Sequence, residues 1–214
     1  MVIAYGITLA LFALYSYSLL DLNLTLLNFD LWTQFRNVMI QFGYFQRLNS
    51  TFVFVALICL VSGFNLYLLK NYKKYSALHL SLIIAVILLF AYPFLSHDLF
   101  NYMFDAKILT FYHQNPYLHR ALDFPSAPEL RFMHWVHRTY PYGPTFLPMT
   151  LIPSLLGLGK FSLSLITFKV FFSIFYLLAV RALNKMSSEW AMFFATHPLV
   201  IIEGLMNNHN DLIA

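Results

Sequence analysis

The chain has 214 residues, 60% of them apolar and only 10% charged, where an average soluble domain carries about 25% charge. At a mean hydropathy of +0.67 it has too little charge to cover a globular surface and too much apolar side chain to remain disordered, which leaves an integral membrane protein. The net charge of +4, from 13 basic and 9 acidic residues, calls for no nucleic-acid partner, because Lys and Arg gather on the cytoplasmic side of membrane proteins; a lone cysteine, Cys59, can form no internal disulfide.

Residues 2–20 carry no charge, no basic leader and no small-x-small cleavage site, so they predict a retained helix rather than a signal peptide. The uncharged runs 48–69 and 75–97 predict two further spans, at 51–69 and 76–95, each long enough for a transmembrane helix of ~20 residues. Between them, the turn Lys70-Asn71-Tyr72-Lys73-Lys74 reads as cytoplasmic. The N-terminus then lies inside, and segments 21–47 and 96–143 face outward. Residues 139–159 are uncharged but broken by Pro141, Pro144, Pro148 and Pro153, so 144–158 is expected to be short or re-entrant. A re-entrant segment also keeps Arg181 and Lys185 on the cytoplasmic side. Spans at 161–180, interrupted only by Lys169, and at 190–206, containing Glu203, complete the expectation. The predicted fold is all-α: one polytopic helical membrane domain over 1–214, multi-pass in the plasma (cytoplasmic) membrane.

Segment 96–143 stands apart in composition, with eight of the charged residues and five of the eight histidines. Its first part, DLFNYMFDAKILTFY over 98–112, lacks Pro and Gly and predicts an amphipathic interfacial helix. Asp98, Asn101, Tyr102 and Asp105 share one face, while Phe100, Met103, Phe104 and Phe111 populate another. Asp98 there is either a simple N-cap or a chemical group. The helix runs into Gln114-Asn115-Pro116-Tyr117, a turn followed by His119 and Arg120. Arg131 and Arg138 bracket a run containing His134 and His137, and the chain returns toward the membrane through Tyr140-Pro141-Tyr142-Gly143-Pro144. A carboxylate beside a pocket rimmed by Arg, His and Tyr suits an anionic, partly apolar substrate.

The order of these elements, with Ser96, Asp98 and Tyr102, then Asn115-Pro116-Tyr117, then Tyr142-Gly143-Pro144, resembles the GT-C glycosyltransferases. The closest likeness is to bacterial polyprenol-phosphate-mannose-dependent mannosyltransferases. His209-Asn210-Asp211 is similar to their H-N-D element and His197-Pro198-Leu199 to their N-P-L. The likeness covers residues 90–214, with Ala106-Lys107 where the family usually has Gly-Arg and His197 where it has Asn. Because such enzymes continue through more helices and this chain stops at Ala214 within an apolar stretch, it is expected to be the N-terminal part of a longer protein.

The resemblance implies an inverting hexosyl transfer, of mannose first of all, from a polyprenyl-phosphate-linked sugar to a glycan or glycolipid acceptor at the outer face of the bilayer. It gives Asp98 the role of general base. Tyr102, Asp105, Lys107, Asn115, Tyr117, Arg120, Tyr142, His209, Asn210 and Asp211 become substrate-binding candidates. Lys107, Arg120, Arg131 and Arg138 are cations able to hold the leaving phosphate. A lipid-linked donor fits the lack of a nucleotide-binding glycine loop in the sequence. No cofactor is expected and no zinc motif is present, with a divalent metal left open. A transporter or lipid flippase using Lys169, Glu203 and Asp211, or an inactive fragment, is the alternative.

Overall fold

The computed structural model describes residues 1–213. It is 71% helical, with no strand among the described residues, as expected of a polytopic helical membrane protein. Eight α-helices follow in order: α1 Val2–Ser16, α2 Asp30–Ile40, α3 Arg47–Lys70, α4 Ala77–Leu88, α5 Asp98–Thr110, α6 Phe146–Leu156, α7 Phe161–Met186 and α8 Ser188–Thr196. Three helical stretches, Val2–Leu19, Arg47–Lys70 and Phe161–Met186, are long and apolar enough to cross a bilayer; at 1.5 Å per residue the 24 residues of α3 extend about 36 Å.

The chain divides into two compact units, one of Met1–Leu20, Leu27–Leu95 and Phe172–Ala214 and one of Asp21–Leu26 and Ser96–Phe171. In the first, α1 packs on α3 and α4, and α8 packs on α3 and α4. Helix α3 shows how apolar sequence serves two environments. It buries only the stripe of Ser50, Leu57, Val61, Asn65 and Leu68, leaving Phe52, Val55 and Leu66 exposed, as a lipid-facing helix would. Within the stripe, Asn65 Nδ2 donates to Thr196 Oγ1 of α8 at 2.8 Å. Such an interhelical bond contributes about 0.6 kcal/mol in a membrane protein. Phe12, Tyr15, Phe54 and Phe94 join in edge-on and stacked ring contacts 5.8–6.4 Å apart, filling the core of this unit.

Helix α4 stops at Leu88, well before the 95 expected from hydropathy. Pro93 lacks an N–H and disfavours helical backbone before it, so the run 91–95 must find other partners. Two side chains supply them: the Tyr92 N–H donates to Ser16 Oγ at 2.8 Å and the Leu95 N–H to Asn207 Oδ1 at 3.1 Å. The expected 190–206 helix is likewise divided. His197-Pro198 ends α8, and a wider π-helical turn, Val200–Met206, follows. The outward-assigned segment 21–47 holds α2, whose residues are all at least partly exposed. Behind it, a Cβ on Gly43 would collide with the Ser18 carbonyl, so only glycine permits that approach.

In the second unit α5 packs along α6, with Thr110 Oγ1 and Ser154 Oγ 2.8 Å apart. The apolar residues Leu99, Phe100, Tyr102, Phe104, Ala106 and Ile108 of α5 are all buried. The expected helix is therefore present but enclosed on most sides, because the loop 113–145 folds over its aromatic face: Phe100 meets Phe132 at 5.4 Å and Phe104 meets Phe124 at 6.2 Å. Lys169, on α7, is buried at 3% exposure and so does not snorkel.

Candidate active site

Asp98 is the first residue of α5 and not its cap. Position 97 precedes the helix without a side-chain cap bond, and the Asp98 N–H donates to Ser96 Oγ at 3.2 Å. Ser96 thus starts the helix, and the Asp98 carboxylate is left at the positive end of the helix dipole, which favours its charge. From there Tyr102 and Asp105 follow at i+4 and i+7 on the same face.

Tyr102 is fully buried. Its ring lies edge-on to Tyr142 at 5.3 Å and to Phe146 at 5.2 Å, and its hydroxyl hydrogen-bonds with that of Tyr142. Burial, with the nearby Asp98 and Asp105 charges, holds the Tyr142 phenol above its ordinary range, against the pull of Tyr102 and Arg138. Arg138 places its guanidinium 5.7 Å from the centre of the Tyr142 ring and its Nη1 3.6 Å from Asp105 Oδ2. That separation is an ion pair and too long for a hydrogen bond. Burial pushes the Asp105 carboxyl up to about 7, with Arg138 pulling the other way; desolvation outweighs the pair.

The Asn-Pro-Tyr turn closes onto the same cluster. Asn115 Oδ1 accepts from the Tyr117 N–H at 2.9 Å, an Asx turn. The Pro116 carbonyl accepts from the Tyr140 N–H at 2.9 Å, and the Tyr117 ring meets Tyr140 edge-on at 5.1 Å. Tyr117 also donates its hydroxyl to the Tyr142 carbonyl at 3.4 Å. Tyr140 is buried, and its phenol is raised, by burial first and then by its Tyr and Asp neighbours. Three sequence motifs far apart in the chain thus form one constellation of Asp98, Tyr102, Asp105, Arg138, Tyr140 and Tyr142.

The four cations proposed for phosphate have different surroundings. Lys107 pairs with Glu129 at 2.6 Å, both side chains largely buried, and sits 5.4–6.0 Å from the ring centres of Phe104, Phe111 and Tyr112. Arg120 is exposed and bound to Asp123 through Nε at 3.2 Å and its backbone N–H at 3.1 Å; that backbone bond, first of several, holds the Asp123 carboxyl below its usual range. Arg138 is engaged by Asp105. Arg131 donates from Nε to the Pro128 carbonyl and lines a cavity of about 440 Å³ together with Asn23, Thr25, Glu129 and Lys160. Lys160 was the cation missed in the sequence. No local pattern links it to Arg131, 29 positions earlier.

His209 and Asp211 lie in the other unit, where they line a cavity of about 400 Å³ with Glu203, Phe194, Leu199 and Leu212. Asn210 stands between them at the start of a short 3₁₀ turn. His209 Nδ1 is 3.2 Å from Asp211 Oδ2, the His209 N–H donates to the Glu203 carbonyl, and Asn207 Nδ2 donates to Glu203 Oε2 at 3.2 Å.

A third group was not legible in the sequence. Asp21, His97 and His134 bring one ligand atom each within 4.8 Å of one another. Burial and His134 depress the His97 imidazole, opposed by Asp21 and Asp98.

Residues 6–214 match the family model described as "Alpha-(1->6)-mannopyranosyltransferase, N-terminal domain". No curated protein and no solved structure matches the chain.

Proposed function

The chain belongs to the alpha-(1->6)-mannopyranosyltransferase family, and from that premise we propose that it transfers a mannosyl residue from a polyprenyl-phosphate donor to a hydroxyl of a glycan or lipid-linked acceptor. Membership of the family carries hexosyl transfer by a helical membrane protein.

The observation that carries this reading is the shared helical face of Asp98, Tyr102 and Asp105, met by Tyr142 and Arg138 from the returning loop. In the step proposed, the acceptor oxygen attacks the anomeric carbon opposite the phosphate. Its proton passes to the Asp98 carboxylate as the bond from carbon to phosphate oxygen breaks and the phosphate leaves with the electron pair. Attack from the opposite side inverts the anomeric configuration. A carboxylate held at the start of the helix suits a base, and such a base is worth ~10²–10⁴-fold in rate. Asp105, whose carboxyl sits near 7, is largely protonated in mildly acidic surroundings. It can then donate a hydrogen bond to a sugar oxygen, which an ordinary Asp cannot.

The leaving phosphate needs cations at the cavity wall, and Arg131 with Lys160 is the pair that supports this role best, since both line one cavity. Asn115 and Tyr117 act by shaping the loop that carries Tyr140 and Tyr142. His209, Asn210 and Asp211 offer an imidazole, an amide and a carboxylate to sugar hydroxyls in their own cavity. The lysine turn 70–74 is assigned to the cytoplasm and 96–143 to the outer side.

Asp98→Asn tests the base. Asn preserves the side-chain shape, and the lost charge–dipole interaction is worth about 0.3–1 kcal/mol, so the helix and protein abundance persist. Incorporation of labelled mannose from lipid-linked donor by membranes should fall by at least ~10²-fold. Turnover equal to wild type at equal expression would remove Asp98 as the base.

A further inference from the structure

We propose that Asp21, His97 and His134 form a site for a divalent transition metal of the zinc class, distinct from the carboxylates and tyrosines assigned to sugar transfer. The three come from separate stretches of the second unit: the 21–26 segment, the residue before α5, and the loop between the Pro128–Arg131 turn and Arg138. Their donor atoms converge within 4.8 Å. Two imidazole nitrogens and one carboxylate oxygen are a donor set that zinc accepts with three protein ligands and one open position. Two imidazoles favour zinc, cobalt or nickel over magnesium and calcium, which prefer oxygen.

Two further observations point to a ligand. The His97 and His134 rings stack with centroids 3.9 Å apart and planes 26° from parallel. That arrangement brings two basic rings together without a hydrogen bond between their faces. His97 Nε2 is buried without a hydrogen-bond partner, a condition that is unfavourable and that a metal would relieve. Asp21 is already oriented, since its Oδ1 accepts from the Asn23 N–H at 2.8 Å, as carboxylate ligands commonly are. Tetrahedral coordination at about 2.0–2.1 Å brings donor atoms to about 3.3 Å from one another. The remaining closure falls to His134, which is exposed, and Asp21, which is half-exposed; ring and carboxylate rotations supply movement of that size. The fourth position would be left to water or an anionic oxygen.

The proposal does not rest on Asp98 being the base, and its test reads metal rather than turnover. Untagged full chain, purified in detergent, stripped with chelator and dialysed, is titrated with ZnCl₂ against a chromophoric competitor, and with CoCl₂ followed by its visible absorption. The expected result is one metal per chain, with a rise in unfolding temperature on adding Zn²⁺. His134→Ala, at an exposed position, and Asp21→Asn should each weaken binding by about 10²-fold and abolish that thermal shift while melting like the stripped wild type. His137→Ala, three residues along the same loop and also exposed, should bind as wild type does. Absence of stoichiometric binding to wild type would overturn the site, as would unchanged binding by both His134→Ala and Asp21→Asn. Loss of binding in His137→Ala with retention in His134→Ala would overturn the ligand assignment.

Discussion

Arg138 approaches Asp105 to 3.6 Å without reaching hydrogen-bond distance, and the carboxyl it faces is raised rather than lowered. A cation beside a carboxylate ordinarily favours its ionisation. Here the side chain is 8% exposed, and the loss of water outweighs the incomplete pair.

This imbalance has a pH signature. The folded carboxyl near 7 lies above its unfolded value of 3.8, so the folded state binds more protons across that window. Stability from this group is therefore full below pH 4 and declines as pH rises toward 7. Asp105→Asn removes the titration. Relative to wild type, the variant should gain several degrees of unfolding temperature between pH 5 and pH 8. Thermal unfolding in detergent at both pH values checks it; a constant difference between the two proteins would refute the raised carboxyl.

Lys107 should behave as a structural cation. Lys107→Met leaves Glu129 buried without its partner and should cost about 3–5 kcal/mol, as should Glu129→Leu, whereas the double variant should recover much of the loss. A double-mutant cycle by unfolding measures the coupling. If Lys107→Met instead leaves stability unchanged and weakens only donor binding, the ion pair is not what holds this residue.

Removing the cavity cations should raise the donor requirement. Arg131→Gln and Lys160→Gln, both at the 440 Å³ cavity, should each increase KM for the lipid-phosphate donor by ~10-fold, a charge-assisted phosphate bond being worth about 1.5–3 kcal/mol. Arg120→Gln, at an exposed pair with Asp123, should leave KM within a factor of two, because such surface pairs contribute ~0–1 kcal/mol. Steady-state kinetics with varied donor separates the two outcomes.

Sidedness is open to direct labelling. In a Cys59→Ser background, cysteines at Asn71 and Ser126 should differ toward an impermeant thiol reagent in intact cells, with 126 reacting and 71 protected. The reverse pattern would invert the orientation.

What the sequence makes legible is local. Long apolar runs with few charges announce the helices at Val2, Arg47 and Phe161, because a bilayer-crossing helix is continuous and composition alone marks it. The helix at Asp98 was readable from its spacing, and its motifs pointed to Tyr142 and Asn115. Helix α2 was not foreseen, because at 11 residues, with Asp30 and Arg36 among them, it is too short and too charged to stand out as a span. Of the two readings open for Asp98, the simple N-cap falls away, because its own N–H is the one received by Ser96 Oγ. Partnerships across distance stayed invisible: Lys107 with Glu129, and His97 with Asp21 and His134, are joined only by the folded path of the chain. The short α4 could have been foreseen, because Pro93 was in plain view.

The extended run that follows α4 depends on two hydrogen-bond acceptors of very different age. Ser16, which receives the Tyr92 N–H, leaves the ribosome long before that run exists, while Asn207, which receives the Leu95 N–H, emerges more than 110 residues after it. A buried amide without a partner is costly. The approach to Asp98 therefore completes its bonding only once residue 207 has been made and has settled into its unit. A nascent chain halted before that point would carry every side chain of the Asp98 cluster, yet present the helix behind a lead-in still lacking its final bond.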